Sequence, residues 1–153
     1  MISTELETGP PPPDPRRGPK HTVMICDDQE DIVYVCEKLL GTTFDVLVAR
    51  SGEECLTSFA REAKRGKKVD VLLLDYRLGD MLGNEVVSRL KGVESARRTK
   101  IILITAFELD GAELEQMKQV RENDGTPAGS ISVLRKPFRM AELRREVVSV
   151  LGD

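Results

Sequence analysis

Histidine is almost missing from this chain: His21 is the one copy, which excludes a His-rich zinc site and a Ser-His-Asp triad within the folded part. The three cysteines, Cys26, Cys36 and Cys55, are odd in number and lack CxxC spacing. They sit inside apolar patterns and read as core thiols rather than as a disulfide framework or a metal pair. Positive charge is not in excess either. Lys and Arg number 23 against 26 Asp and Glu, a formal net charge of -3, so no general cationic field invites nucleic acid, and direct binding to it is not expected. No apolar run approaches the roughly 20 residues that cross a bilayer, and the first residues lack the charged-then-apolar order of a secretory signal. The expectation is a cytoplasmic chain without membrane insertion, whose chemistry rests on carboxylates.

What is present suits one globular domain. Apolar residues make up 40% and charged residues 32% of the 153 positions, enough for one core and not two. Residues 1–20 hold six of the eight prolines and almost no apolar face, so they read as a solvated Pro-rich disordered tail, with residues 21–153 as the folded domain. A docking segment for a proline-recognising groove is the other reading of that tail.

From Thr22 onward, short β-rich runs alternate with helical patterns. Val23–Cys26 precedes Ile32, Val35, Cys36 and Leu39 at helical spacing. Phe44–Val48 precedes a helix with Ser51 as N-cap, a face of Cys55, Leu56, Phe59, Ala60 and Ala63, and an end at Gly66. Val69–Leu74 precedes a helix carrying Val86, Val87, Leu90 and Val93. Ile101–Ile104 precedes a polar helix around Leu114, Met117 and Val120. Ile131–Leu134 precedes a helix with Met140, Leu143, Val147, Val150 and Leu151 near one face. Val71–Leu74 and Ile101–Ile104 are apolar at every position, as strands covered by helices on both faces must be. Five βα units of this kind predict an α/β, doubly wound, five-stranded parallel sheet, whose ligands gather at the carboxyl ends of the strands.

Just past those ends stand Asp27-Asp28, Asp75, Thr105 and Lys136. Each alone has an ordinary explanation: a helix N-cap, a turn, a satisfied loop amide, a surface charge. As a set at one sheet edge they point to chemistry. Three converging carboxylates stay ionised only around a cation, and Mg2+ suits them because it prefers oxygen and keeps waters that a phosphate displaces. Asp75, ending the central strand, is the best-placed nucleophile for a phosphoryl group. Lys136 would balance the charge of the acyl phosphate, and Thr105 would donate to a phosphoryl oxygen.

Over about Thr22 to Leu151 the sequence resembles the receiver domains of two-component response regulators. Val23-Met24-Ile25-Cys26-Asp27-Asp28, Val71-Leu72-Leu73-Leu74-Asp75, Ile101-Ile102-Leu103-Ile104-Thr105-Ala106 and Leu134-Arg135-Lys136-Pro137-Phe138 carry the likeness. It implies a flavodoxin-like fold with Asp75 as phosphoacceptor. Asp28 and Asp75 would bind Mg2+ directly, Asp27 largely through metal-bound water, and the Arg77 carbonyl would add a ligand. Thr105 and Lys136 would contact the phosphoryl group, and Lys136-Pro137 would be cis. The implied partners are a sensor histidine kinase or phosphotransfer protein upstream and an effector protein downstream, for a stand-alone phosphorelay switch rather than an enzyme.

Four features depart from the family's pattern. Gly79 replaces a proline in the loop after the acceptor, which loosens the turn. Val133 replaces the aromatic whose ring turns inward on activation. The stretch 122–130, Gly-rich and polar, lengthens the segment before the fifth strand and either sets partner specificity or is tolerated slack. Phe107 and Arg77 flank the path of hydrolytic water, and their bulk is expected to prolong the acyl phosphate; packing of Phe107 on the fourth helix is the plainer alternative. A phosphorylation-independent interaction module is the alternative function. A Mg2+-dependent aspartyl phosphatase is a third, disfavoured because Arg77 is not the acid such enzymes carry two residues after their nucleophile.

Overall fold

The structure is a computed structural model and describes residues 20–106, 109–123 and 130–152. The Pro-rich tail up to Pro19, Phe107 and most of the 122–130 stretch lie outside the described residues. The strands are β1 (Thr22–Cys26), β2 (Asp45–Ala49), β3 (Val71–Asp75), β4 (Lys100–Thr105) and β5 (Ile131–Arg135). They alternate with α1 (Glu30–Leu40), α2 (Gly52–Lys64), α3 (Gly83–Leu90), α4 (Gly111–Asn123) and α5 (Met140–Gly152). All pairings are parallel, in the order β2-β1-β3-β4-β5. This is the expected doubly wound α/β fold.

Alternation along the central strands divides the core in two. Met24, Leu72, Leu74 and Leu103 pack with Cys55 and Phe59 of α2, Val86 and Leu90 of α3 and Met117 of α4. Val23, Ile25, Leu73 and Ile104 pack with Val33, Cys36 and Leu40 of α1 and Leu143 and Val147 of α5. Every residue of β3 is buried, so truncating one of its leucines to alanine costs about 2–5 kcal/mol. The three cysteines are buried and free, as their apolar settings predicted.

Several helix faces are rotated from those expected. In α1, Val33 and Leu40 flank Cys36 in the core while Val35 is exposed. In α2, Ala60 and Ala63 face solvent and the buried stripe runs Gly52, Cys55, Phe59, Glu62 with Ser58 beside it. Arg65 pairs with Glu62 at 3.3 Å, which makes burial of that carboxylate tolerable. In α4, Arg121 shares the buried side with Met117 because its guanidinium donates to the carbonyls of Ala96 and Thr99. Val93 lies beyond α3, which stops at Leu90 ahead of Gly92 at φ +82°. Met140 begins α5 but is exposed. The α2 boundaries fell as expected: Ser51 Oγ accepts from Glu54 N at 3.0 Å, and Gly66, at φ +72°, follows the end of the helix.

Candidate functional site

Strand register brings the candidate residues to one edge. Cys26 pairs with Leu74, so the next residues, Asp27 and Asp75, stand level on adjacent strands. Continuing the alternation, both share the side of Val23, Ile25, Val71 and Leu73, toward α1 and α5. Asp75 pairs with Ile104 and Thr105 with Arg135, which delivers Thr105 and then Lys136 to the same edge. Lys136 N donates to Thr105 O at 2.8 Å, and the Lys136-Pro137 peptide is cis.

The carboxylate oxygens of Asp27, Asp28 and Asp75 lie within 4.8 Å of one another. Asp27 is 1% exposed and Asp75 7%, while Asp28 faces solvent. Lys136 Nζ stands 3.6 Å from Asp27 Oδ2 and 3.7 Å from Asp75 Oδ1. These four side chains therefore converge as expected, and Thr105, Arg77 and Ala106 join Asp28, Gln29, Asp75 and Lys136 in lining a cleft of about 250 Å³. A larger apolar groove of about 450 Å³ adjoins it along Ile32, Val35, Phe138 and Met140, sharing Lys136 and Ala106. The polar cleft is the one that holds the converging charges.

One ammonium does not balance three carboxylates. Burial, then the neighbouring Asp27, push the Asp75 carboxyl up to about 6, against the opposing pull of Lys136 and the Arg77 backbone N–H. Burial likewise raises Asp27, partly offset by the Gln29 N–H and Lys136. Asp27 Oδ1 accepts from Gln29 N at 2.9 Å, but its buried Oδ2 has no hydrogen-bond partner among the described residues, Lys136 being too distant for one. An orphaned buried oxygen beside two further carboxylates is the donor set a small divalent cation needs, with the open side left for water or a phosphate. The residues fit Mg2+.

Two participants escaped the sequence reading. Gln29 Oε1 accepts from Lys136 Nζ at 3.0 Å, closer than either carboxylate, so a neutral amide helps to aim the ammonium. Its place directly after the Asp pair was the only available signal. Asp80 reaches from the loop after β3 to α2, accepting from Gly52 N at 2.9 Å and Glu53 N at 3.0 Å. No local pattern marks that contact. Tyr76, next to Asp75, donates its hydroxyl to Glu113 of α4; burial and that carboxylate push the phenol up to about 12. Val133, where an aromatic was missing, packs half-buried against the α2–α4 side of the core.

The description response regulator receiver domain matches residues 23–148. The polar-differentiation response regulator DivK of Brucella ovis is 30% identical over 133 residues, spanning 86% of this chain and 97% of DivK. Among solved structures, the Vibrio cholerae chemotaxis protein CheY4 superposes with a TM-score of 0.69 at 23% identity, covering 86% of this chain and 98% of that one, a likeness of fold. The receiver domain of a sensor histidine kinase from Pseudomonas aeruginosa PAO1, solved with a magnesium ion coordinated in its active site cleft, gives 0.67 at 26% identity, covering 88% and 99%. No helix of the described residues is long and apolar enough to cross a membrane.

Proposed function

The chain belongs to the response regulator receiver domain family, and on that premise we propose that Asp75 accepts a phosphoryl group from the phosphohistidine of a sensor kinase or phosphotransfer protein. Receiver domains act in two-component signalling, between histidine kinases and effectors, as switches rather than classical enzymes. In this reading residues 21–153 form the receiver, 1–20 a leader, and the setting is cytoplasmic. The observation that carries the proposal is the cluster itself: three carboxylates within 4.8 Å, an ammonium 3.7 Å from Asp75, and an orphaned buried oxygen on Asp27.

Each residue has a physical role. An Asp75 oxygen attacks phosphorus as the P–N bond to the donor imidazole breaks, the nitrogen keeping the bonding pair. Lys136, aimed by Gln29, pairs with the phosphoryl oxygens, and the Thr105 hydroxyl donates to another. Asp27, Asp28, Asp75 and the Arg77 carbonyl would hold Mg2+, which when bound neutralises clustered negative charge. Because burial holds the Asp75 carboxyl up at about 6, the cation-free side chain loses its nucleophilic form as pH falls through that value. Phosphorylation then draws Thr105 and its loop inward and shifts the surface presented to an effector. With Val133 in place of an aromatic, that coupling runs through the Thr105 loop.

The test is incubation with Mg2+ and acetyl phosphate, followed by intact-mass measurement. Wild type is expected to gain one phosphoryl group and Asp75→Asn none. Equal gain in both, or none in wild type, would sink the assignment. An effector captured equally by wild type and Asp75→Asn, with and without phosphodonor, would instead favour the phosphorylation-independent module.

A further inference from the structure

The segment from Arg77 to Leu82 leaves the cleft that Arg77 lines, and few backbone hydrogen bonds hold its tip. Its neck is closed by Gly83 N donating to Tyr76 O at 2.7 Å and by a bridge between Arg77 and Leu82. Beyond that, Leu78 N reaches Met81 O only at 3.2 Å, and the tip is Gly79-Asp80. A glycine there adds backbone entropy that folding must overcome. Gly79 also faces the acidic cluster: a Cβ on it would sit 3.7 Å from Asp28 Oδ2. Any wander of the tip therefore displaces backbone beside the carboxylates.

Leu78 anchors one side of the loop in the core, and two contacts that flank the Gly79-Asp80 tip land on the start of α2. The Asp80 carboxylate takes the Gly52 and Glu53 N–H groups with separate oxygens, at 2.9 and 3.0 Å. Those are two of the orphan donors of the helix, in the place where the dipole favours an anion. The next N–H, of Glu54, is already satisfied by Ser51, so Ser51 suffices as the local cap and Asp80 contributes the link to the loop. Alongside it the buried Met81 lies so close over Gly52 that a Cβ there would fall 2.5 Å from its Cγ and Sδ. The loop is thus fastened by one polar and one apolar contact to a helix whose Cys55 and Phe59 are set in the core.

We propose that Asp80 is a positioning residue for the cation site: by bridging the acceptor loop to the N-terminus of α2 it holds the backbone from Arg77 to Gly79 in register with Asp28 and Asp75. This rests on the reading of Asp75 and Mg2+ given above. It assigns to an exposed loop carboxylate, outside the acidic cluster, the rigidity that a glycine at position 79 gives up.

Calorimetric titration of the unphosphorylated full chain with MgCl2 tests it, using wild type, Asp80→Ala, Ser51→Ala and Asp80→Ala combined with Gly79→Pro. Ser51→Ala removes a cap from the same helix without touching the loop. Asp80→Ala is expected to weaken Mg2+ binding about fivefold, the factor equivalent to one lost helix cap. Ser51→Ala is expected to lower the melting temperature and leave the affinity unchanged. The added proline, whose fixed φ restricts the tip and which replaces a glycine outside the left-handed region, should recover part of the loss. Equal affinities in Asp80→Ala and Ser51→Ala, both folded, would show that Asp80 only caps α2 and overturn the inference. A wild type that takes up no Mg2+ overturns the cation site first, and the role of Asp80 with it.

Discussion

Strand β3 is bracketed by two aspartates, Asp70 just before it and Asp75 at its last position, and the two live in opposite circumstances. At its amino edge Asp70 accepts from Thr22 N at 2.8 Å, with Lys68 Nζ at 3.9 Å and the His21 imidazole at 3.7 Å, while its backbone N donates to Thr22 O and its carbonyl accepts from Lys100 N. At the carboxyl edge Asp75 meets two more carboxylates and a share of one ammonium. The first aspartate stitches β1 to β3. The second stands in an excess of negative charge, which on the proposed reading Mg2+ would answer. The same side chain at the two edges of one strand has its charge answered locally in one place and left unbalanced in the other, the setting in which perturbed, reactive groups are found.

The largest effect should come from deepening the imbalance at the second end. Lys136→Met leaves three carboxylates without their ammonium, and phosphoryl uptake from acetyl phosphate at saturating Mg2+ should slow by about 10²- to 10³-fold, followed by intact mass over time. Supplying positive charge should do the reverse: Mg2+ at a hundred times its Kd stabilises wild type by about 2.7 kcal/mol in thermal melts. Asp70→Asn should keep that gain and Asp75→Asn lose most of it; equal gains in the two would erase the contrast.

Without Mg2+, Asp75→Asn should exceed wild type in stability at pH 8 by about 1–2 kcal/mol, allowing for solvent screening in an open cleft. Burial pushes the Asp75 carboxyl up to about 6 in the fold, from the 3.8 of a free aspartate. Its protonated form therefore favours the fold fully below about 4, and that advantage is lost as pH rises through 6. The gap to Asp75→Asn should close between pH 7 and 4 in urea titrations; a pH-independent gap would refute the account of crowded charge. Smallest, Asp70→Asn should cost less than about 1 kcal/mol, because the amide oxygen still accepts from Thr22 N and only the charge facing Lys68 and His21 is lost, and should leave phosphoryl uptake unchanged.

The sheet was legible because β3 and β4 are apolar at consecutive positions, a pattern that only two covered faces explain. Charged residues then fall at strand ends, and parallel register makes Asp27, Asp75, Thr105 and Lys136 neighbours. Helix faces were less legible. In α2 the expected alanines are small enough to face water at little cost, whereas Glu62 is buried because Arg65 meets it, a tertiary fact with no local signature. Gln29 and Asp80 were missed for the same reason: one reaches a lysine 107 positions away, the other a helix 28 positions earlier in the chain.

The clasp at the neck of the loop after β3 has a consequence for how this protein changes over generations. Gly83 fits against Tyr76 so closely that a Cβ would lie 3.2 Å from the tyrosine Cα, and the bond from Gly83 N to Tyr76 O closes the ring of residues between them. The six positions 77–82 therefore form a loop on a fixed neck, with Leu78 and Met81 turned into the core and the rest exposed. Change at the exposed Arg77 or Gly79 would, on the proposed reading, retune the reactive edge alone, whereas change at Leu78, Asp80 or Met81 would be felt in the core and at the start of α2.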